Sequence, residues 1–174
     1  MGKARKKAMI VVATIKWIVG HGSLMNISSF KKTLSERELI PVTIPGFRRV
    51  FNITSSHAQH RNILNVTHDP DCVLNAVLFS VNEEEYLKLK KREERYEEEM
   101  VSVYCFKTGK ELDKATIFID YRTDIDHDQQ LPDPHYLQVC RDGARSFGAD
   151  FLKRFDETTF LLSGISLKEW RSQD

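Results

Sequence analysis

Tyr86-Leu87-Lys88-Leu89-Lys90-Lys91-Arg92-Glu93-Glu94-Arg95-Tyr96 reads at first as a charged helix and nothing more. Positions 86, 89, 93 and 96 fall on one helical face, and Tyr86, Leu89 and Tyr96 are the members of that face that favour burial. The neighbouring glutamates lie off the stripe or at the ends of the segment. One carboxylate, Glu93, is therefore expected to turn toward the core. A carboxylate held against aromatic surface loses hydration, and its pKa rises toward the range useful for proton transfer. An inward glutamate paired with an arginine or a tyrosine hydroxyl satisfies the same pattern.

Outward from this stretch, Asn82 and Glu85 approximate a capping box, which starts the helix after Asn82. Glu83, Glu84 and Glu85 suit the positive end of the helix, and Lys88, Lys90, Lys91 and Arg92 suit the negative end. The apolar run Val73–Val81 before it is of strand length. Further strands are predicted over Lys16–Gly20, Pro41–Ile44, Phe47–Ile53, Ile63–Val66, Met100–Phe106 and Thr116–Tyr121. Turns are expected at Pro45-Gly46, at His68–Asp71 and in the hairpin connection Thr108-Gly109-Lys110. A short helix over Phe30–Leu34 and a long one opened by Pro134 complete the reading. The expected buried face of the long helix is Tyr136, Cys140, Gly143, Ala144, Phe147 and Phe151. Gly143 costs about 1 kcal/mol against Ala in mid-helix, which points to close packing there; Gly148 is a candidate break. The class is α+β, with a curled or barrel-like mixed sheet and surrounding helices.

The chain's 174 residues, 41% apolar and 29% charged, suit one soluble domain. A net charge of +1 argues against a nucleic-acid footprint. The apolar stretch Met9–Gly20 follows the basic run Lys3–Lys7 but is interrupted by Lys16. It is shorter than the roughly 20 residues a membrane helix needs, so no membrane association is expected. Met1-Gly2 lacks the Ser or Thr at position 6 that a myristoylation signal needs. Residues 1–15 read as a leader, 16–163 as a single domain and 164–174 as a tail. Cys72, Cys105 and Cys140 form no C-x-x-C pair, which fits reduced thiols in a cytoplasm and neither a disulfide frame nor a zinc site.

Among shorter motifs, Gly20-His21-Gly22-Ser23 follows an apolar strand, where converging backbone N–H groups suit an anion. An ordinary tight turn has the same composition, and the loop is neither a dinucleotide fingerprint nor a Walker loop. Asp124-Ile125-Asp126-His127-Asp128 imitates the start of a calcium loop, but Gln129 and His135 stand where Gly and Glu are required. His57, His60, His68 and Asp69 match no defined metal spacing.

Taken together, the chain resembles the γ-glutamylcyclotransferase-like family. Gly22-Ser23-Leu24-Met25-Asn26 is similar to that family's Tyr-Gly-Ser-Leu or Tyr-Gly-Ser-Asn loop. Pro41 through Asn52 resembles its second block, and Asn75–Phe79 the strand before the catalytic helix. In Leu89–Tyr96, Glu93 takes the place of the catalytic glutamate. Tyr136–Ala144 and Phe155–Thr159 are similar to its C-terminal helices. The resemblance covers roughly residues 16–163 and implies a small mixed β-barrel with helices packed around it. It also implies release of 5-oxoproline from a small-molecule γ-glutamyl substrate, without metal or cofactor. Glu93 would be the general acid/base. His21, Gly22, Ser23, Leu24 and Tyr96 would bind substrate. Three positions depart from the pattern. His21 replaces the loop tyrosine and brings a titration expected near about 6.5. Lys90 stands where an aspartate is usual, with the potential to lower the Glu93 pKa. Phe118 stands in place of a tyrosine that often lines the site. The expectation is a cytoplasmic γ-glutamylcyclotransferase. The alternatives are a non-catalytic binding protein for γ-glutamyl or amino-acid ligands on the same fold, and another γ-glutamyl or acyl cleavage by the same glutamate.

Overall fold

The computed structural model describes residues 12–54, 61–121 and 131–173. The basic run at 3–7, His57, His60 and the calcium-loop imitation at 124–129 lie outside them. Strands β1 (Lys16–Gly20), β2 (Ile40–Thr54), β3 (Asn62–Val81), β4 (Glu97–Cys105) and β5 (Glu111–Ile119) pair in the order β3-β1-β5-β4-β2, and β2 pairs back onto β3. The sheet is thereby a closed five-stranded barrel. It is mixed because β1 and β5 run parallel while the other pairings in the ring are antiparallel. A short β6 (Thr159–Leu161) pairs in parallel with Arg49–Phe51 of β2, beyond the pairing of β2 with β4 at Val42 and Thr43.

The period-2 alternation of the strands separates two apolar clusters. Val42, Ile44, Leu74, Ala76, Leu78, Val101, Val103, Ala115 and Ile117 belong to one cluster. Ile18, Phe51, Leu64, Val77, Phe79 and Phe118 face the other way and pack with helical Phe30, Leu89, Cys140, Ala144, Phe151 and Phe155.

Several expected elements fuse or shift. Pro45-Gly46 does not separate two strands: β2 runs through it, with Gly46 at φ +86° in an irregularity where the register steps from Pro45↔Val73 to Phe47↔His68. The same step absorbs the turn expected at His68–Asp71, where the Asp69 side chain accepts the Asp71 N–H at 3.1 Å. A bulge bends a barrel strand without ending it. The first helix, α1 (Ile27–Phe30), begins a turn earlier than expected because Asn26 caps it, accepting from the Ser28 and Ser29 N–H groups. The β4–β5 hairpin has its turn at Gly109 as expected, but its ladder reaches back to Glu97↔Ile119, drawing charged residues into strand.

Helix α2 (Glu83–Arg92) opens with the capping box of Asn82 and Glu85. It stops at Arg92, one turn short of the expected end. Glu93 is its C-cap, and the Tyr96 N–H bonds the Glu93 carbonyl at 2.8 Å. The chain must reverse here to enter β4 at Glu97. Tyr96 therefore reaches the core side from a turn and not from a fourth position on the helical stripe.

Helix α3 (Pro134–Arg145) begins at Pro134, and Gly148 separates it from α4 (Ala149–Glu157). Leu137, Cys140, Gly143 and Ala144 are its buried apolar face, Phe151 belongs to α4, and Tyr136 and Phe147 are half-buried. Arg141 joins the two helices by donating to both carboxylate oxygens of Asp156, at 3.0 and 2.8 Å. The mid-helix glycine has the expected cause: a Cβ on Gly143 would lie 2.7 Å from the backbone of Met25 and Asn26. The segment expected as a tail contains α5 (Leu167–Arg171), which seats Leu167 fully in the core. Among the described residues, no helix is long and apolar enough to cross a membrane.

Candidate active site

Where β1 ends, the chain passes through His21 and Gly22 into a 3-10 turn at Ser23–Met25. α3 packs directly on this turn. Asn26 donates to the Val139 carbonyl at 3.0 Å, and Gly143 admits the backbone of Met25 and Asn26. A cavity of about 660 Å³ opens between the turn, the C-terminal end of α2 and the start of α3. His21, Gly22, Ser23, Leu24, Glu93 and Tyr96 all line it. The six residues singled out in the sequence are thus brought together, although about 70 positions separate the loop from Glu93.

Tyr86 and Leu89 are buried and fix the helix whose end carries Glu93. The Glu93 side chain is 18% exposed, and its Oε1 lies 3.5 Å from Arg92 Nε. Burial raises the Glu93 carboxyl above the usual carboxylate range, and the Arg92 charge opposes this without cancelling it. The cation acting on Glu93 is therefore Arg92. Lys90 points outward, with its Nζ 3.5 Å from Glu98, so its expected influence on Glu93 is replaced by that of Arg92.

Arg92 was not singled out in the sequence. It donates to Thr33 Oγ1 at 2.8 Å, to Ser23 Oγ at 3.1 Å and to the Ser29 carbonyl at 3.3 Å. One guanidinium thus ties the Ser23 turn, α1 and the end of α2 together. Its partners are far away in sequence, and a basic residue in the last helical turn already has a sufficient local reason to be there, so no signal marked it. Tyr136 was read as core but lines the cavity, with its phenol held protonated by burial. A Cβ on Gly22 would fall 2.7 Å from the Tyr136 hydroxyl, so glycine is what lets this tyrosine close over the turn. Tyr96 donates its hydroxyl to the Leu64 carbonyl at 3.2 Å, and Phe118 forms part of the wall.

The N–H groups of Gly22, Ser23 and Leu24 have no acceptor among the described residues, leaving a set of backbone donors at the cavity. The titration expected of His21 near neutrality is not found. Burial, aided by the Arg49 charge, pushes its imidazole down to about 3, so the ring is neutral at physiological pH. Among the described residues, no group of three or more His, Cys, Asp or Glu is placed to hold a metal ion. His68 instead pairs with Glu99 at 3.0 Å.

A family model described as ChaC-like protein matches residues 16–149. The chain belongs to the ChaC-like family. Solved structures agree on the architecture. An uncharacterised protein from Homo sapiens superposes with a TM-score of 0.70 at 16% identity, over 81% of this chain and 86% of its own. A γ-glutamyl cyclotransferase superposes with a TM-score of 0.70 at 15% identity, over 82% and 86%. A yeast γ-glutamyl cyclotransferase specific to glutathione superposes with a TM-score of 0.50 at 15% identity, over 83% and 86%. The barrel of this ChaC-like chain is therefore γ-glutamylcyclotransferase-like in fold. No curated protein sequence matches it.

Proposed function

We propose that this protein is a cytoplasmic γ-glutamylcyclotransferase that releases 5-oxoproline from a small γ-glutamyl compound, with Glu93 as general acid/base. The observation that carries the reading is the Glu93 carboxyl, raised by burial, lining the same cavity as Gly22, Ser23 and Leu24, whose N–H groups have no acceptor among the described residues. Membership of the ChaC-like family and the named cyclotransferases among the structural neighbours support it, and the three free cysteines accord with a reducing compartment.

In this reading the substrate α-carboxylate or the developing oxyanion is held by the turn's N–H groups. Ionised Glu93 accepts a proton from the α-ammonium. The freed amine attacks its own γ-carbonyl carbon, forming the ring C–N bond and a tetrahedral intermediate. Glu93 then returns the proton to the leaving nitrogen as the original amide C–N bond breaks, and passes the second hydrogen of the ring nitrogen to the departing amine, which leaves as an ammonium while the lactam keeps one N–H. Holding the glutamyl chain folded supplies much of the acceleration, because nucleophile and carbonyl belong to one molecule. Neutral His21, Tyr96, Phe118 and Tyr136 exclude water from the ring-closing end.

The test is 5-oxoproline release from γ-glutamyl amino acids, γ-glutamyl amines and glutathione. Release from at least one of them is expected. No release from any, together with thermal stabilisation by a γ-glutamyl ligand, would replace the enzyme with a binding protein on this fold.

A further inference from the structure

Arg49, on β2, is fully buried behind the Gly22–Leu24 turn. Its Nε donates to Thr159 Oγ1 at 2.8 Å and its Nη2 to Thr158 Oγ1 at 2.9 Å and to Asn75 Oδ1. Its Nη1 donates to the Asn75 carbonyl and, at 3.4 Å, to the His21 carbonyl. The guanidinium carbon also lies 4.3 Å from the Phe155 ring centroid. Every acceptor is neutral, and among the described residues no carboxylate stands within ion-pair reach, the Asp156 charge acting on Arg49 only from farther away. Burial lowers the Arg49 pKa to about 9, so the group remains cationic at neutral pH. Taking an ion out of water without an opposite charge is costly, and neutral acceptors together with one aromatic face offset that only in part.

The position of this charge has a consequence for the turn. No peptide bond in the described chain is cis, and in a trans peptide the C=O and N–H point in opposite directions. The His21 carbonyl faces Arg49, inward. The N–H of the same peptide, that of Gly22, therefore points away from Arg49, and Gly22 lines the cavity.

We propose that Arg49 is a positioning residue: through the His21 carbonyl it aims the Gly22 N–H into the cavity, and its buried charge is the counter-charge for a carboxylate bound there. This rests on the proposed γ-glutamyl chemistry only for the identity of that carboxylate, which would be the α-carboxylate carried by the substrate and by 5-oxoproline. A merely structural Arg49 would affect neutral and anionic ligands alike. A counter-charge discriminates between them.

The test compares the wild type, Arg49→Lys and Arg49→Gln for binding of 5-oxoproline, of its neutral amide and of acetate. Calorimetry gives the affinities, and the Gly22 amide resonance of glycine-labelled protein reports the site. In the wild type, 5-oxoproline and acetate should shift the Gly22 resonance and the neutral amide should not. Arg49→Gln should weaken 5-oxoproline by about tenfold or more, the size of losing one charge-assisted contact, and leave the neutral amide within about threefold. Arg49→Lys, which keeps the charge but not the fork, should fall between. Equal weakening of both ligands, or no weakening of either, overturns the proposal. If Arg49→Gln does not fold, the wild-type comparison decides, and a Gly22 resonance indifferent to every carboxylate overturns it. Acetate moving Gly22 while 5-oxoproline does not bind would keep the role of Arg49 and remove the γ-glutamyl assignment.

Discussion

Glu93 feels burial and an adjacent cation in opposite senses, and burial wins. The folded protein then holds the Glu93 proton to a higher pH than the unfolded chain does. The stability this contributes is complete below the unfolded carboxylate value and is lost as pH rises through the folded one. Glu93→Gln should therefore raise the melting temperature at pH 7.5, with the gain vanishing below about pH 4; melts at the two pH values check it. Arg92→Met removes the opposing charge and should move the acid limb of kcat/KM upward, which a pH–rate profile reads directly. For His21 the sign is reversed. Its folded pKa is depressed to about 3, so it contributes stability above its ordinary value, and that stability is lost as pH falls from about 6.5 toward 3. His21→Tyr should remove that acid sensitivity. The wild-type rate profile should show no inflection from His21 near its ordinary value of about 6.5. At this scale Glu93 was legible because Tyr86 and Leu89 mark a face, and the loop because Gly-His-Gly-Ser follows a strand. Arg49 and Arg92 were not. An arginine in a strand or at a helix end reads as solvated, and each here is bound by partners that only folding brings near.

At the scale of elements, the α3–turn contact decides how well the site is held. Gly143→Ala gains about 1 kcal/mol of helix propensity but drives a Cβ to 2.7 Å from the backbone of Met25 and Asn26. A backbone contact cannot swing aside, so overpacking should dominate, with a net loss of about 1–3 kcal/mol in denaturant unfolding. Asn82→Ala removes the capping box of α2 and should cost about 1 kcal/mol. The capping residues, the hairpin glycine and Pro134 announced their elements because each acts within a few residues. Strand continuity through Pro45-Gly46 and His68–Asp71 was hidden: a proline-glycine pair and an Asp-Pro-Asp run have turn chemistry, and only pairing of β2 with β3 on both sides makes them bulges. The end of α2 was hidden for a related reason, since the helical pattern continues in sequence while the ladder from Glu97 requires the chain to turn.

For the molecule as a whole, barrel closure and the helical layer place the end of β1 beside the end of α2, which is how two short motifs become one cavity. α5 belongs to this layer. Leu167→Ala, at a fully buried position, should cost about 2–5 kcal/mol and lower the whole unfolding transition, whereas a loose tail would leave it unchanged. The class and the barrel were legible from alternating strands and one strong helix, together with the resemblance of the motifs in their order. In the proposed mechanism the proton moves through Glu93. The direct measurement is 5-oxoproline release by wild type and Glu93→Gln on the best substrate, with ligand affinity measured for both. Glu93→Gln should lose about 10²–10⁴-fold in kcat with affinity largely retained. Retained turnover in Glu93→Gln would contradict it.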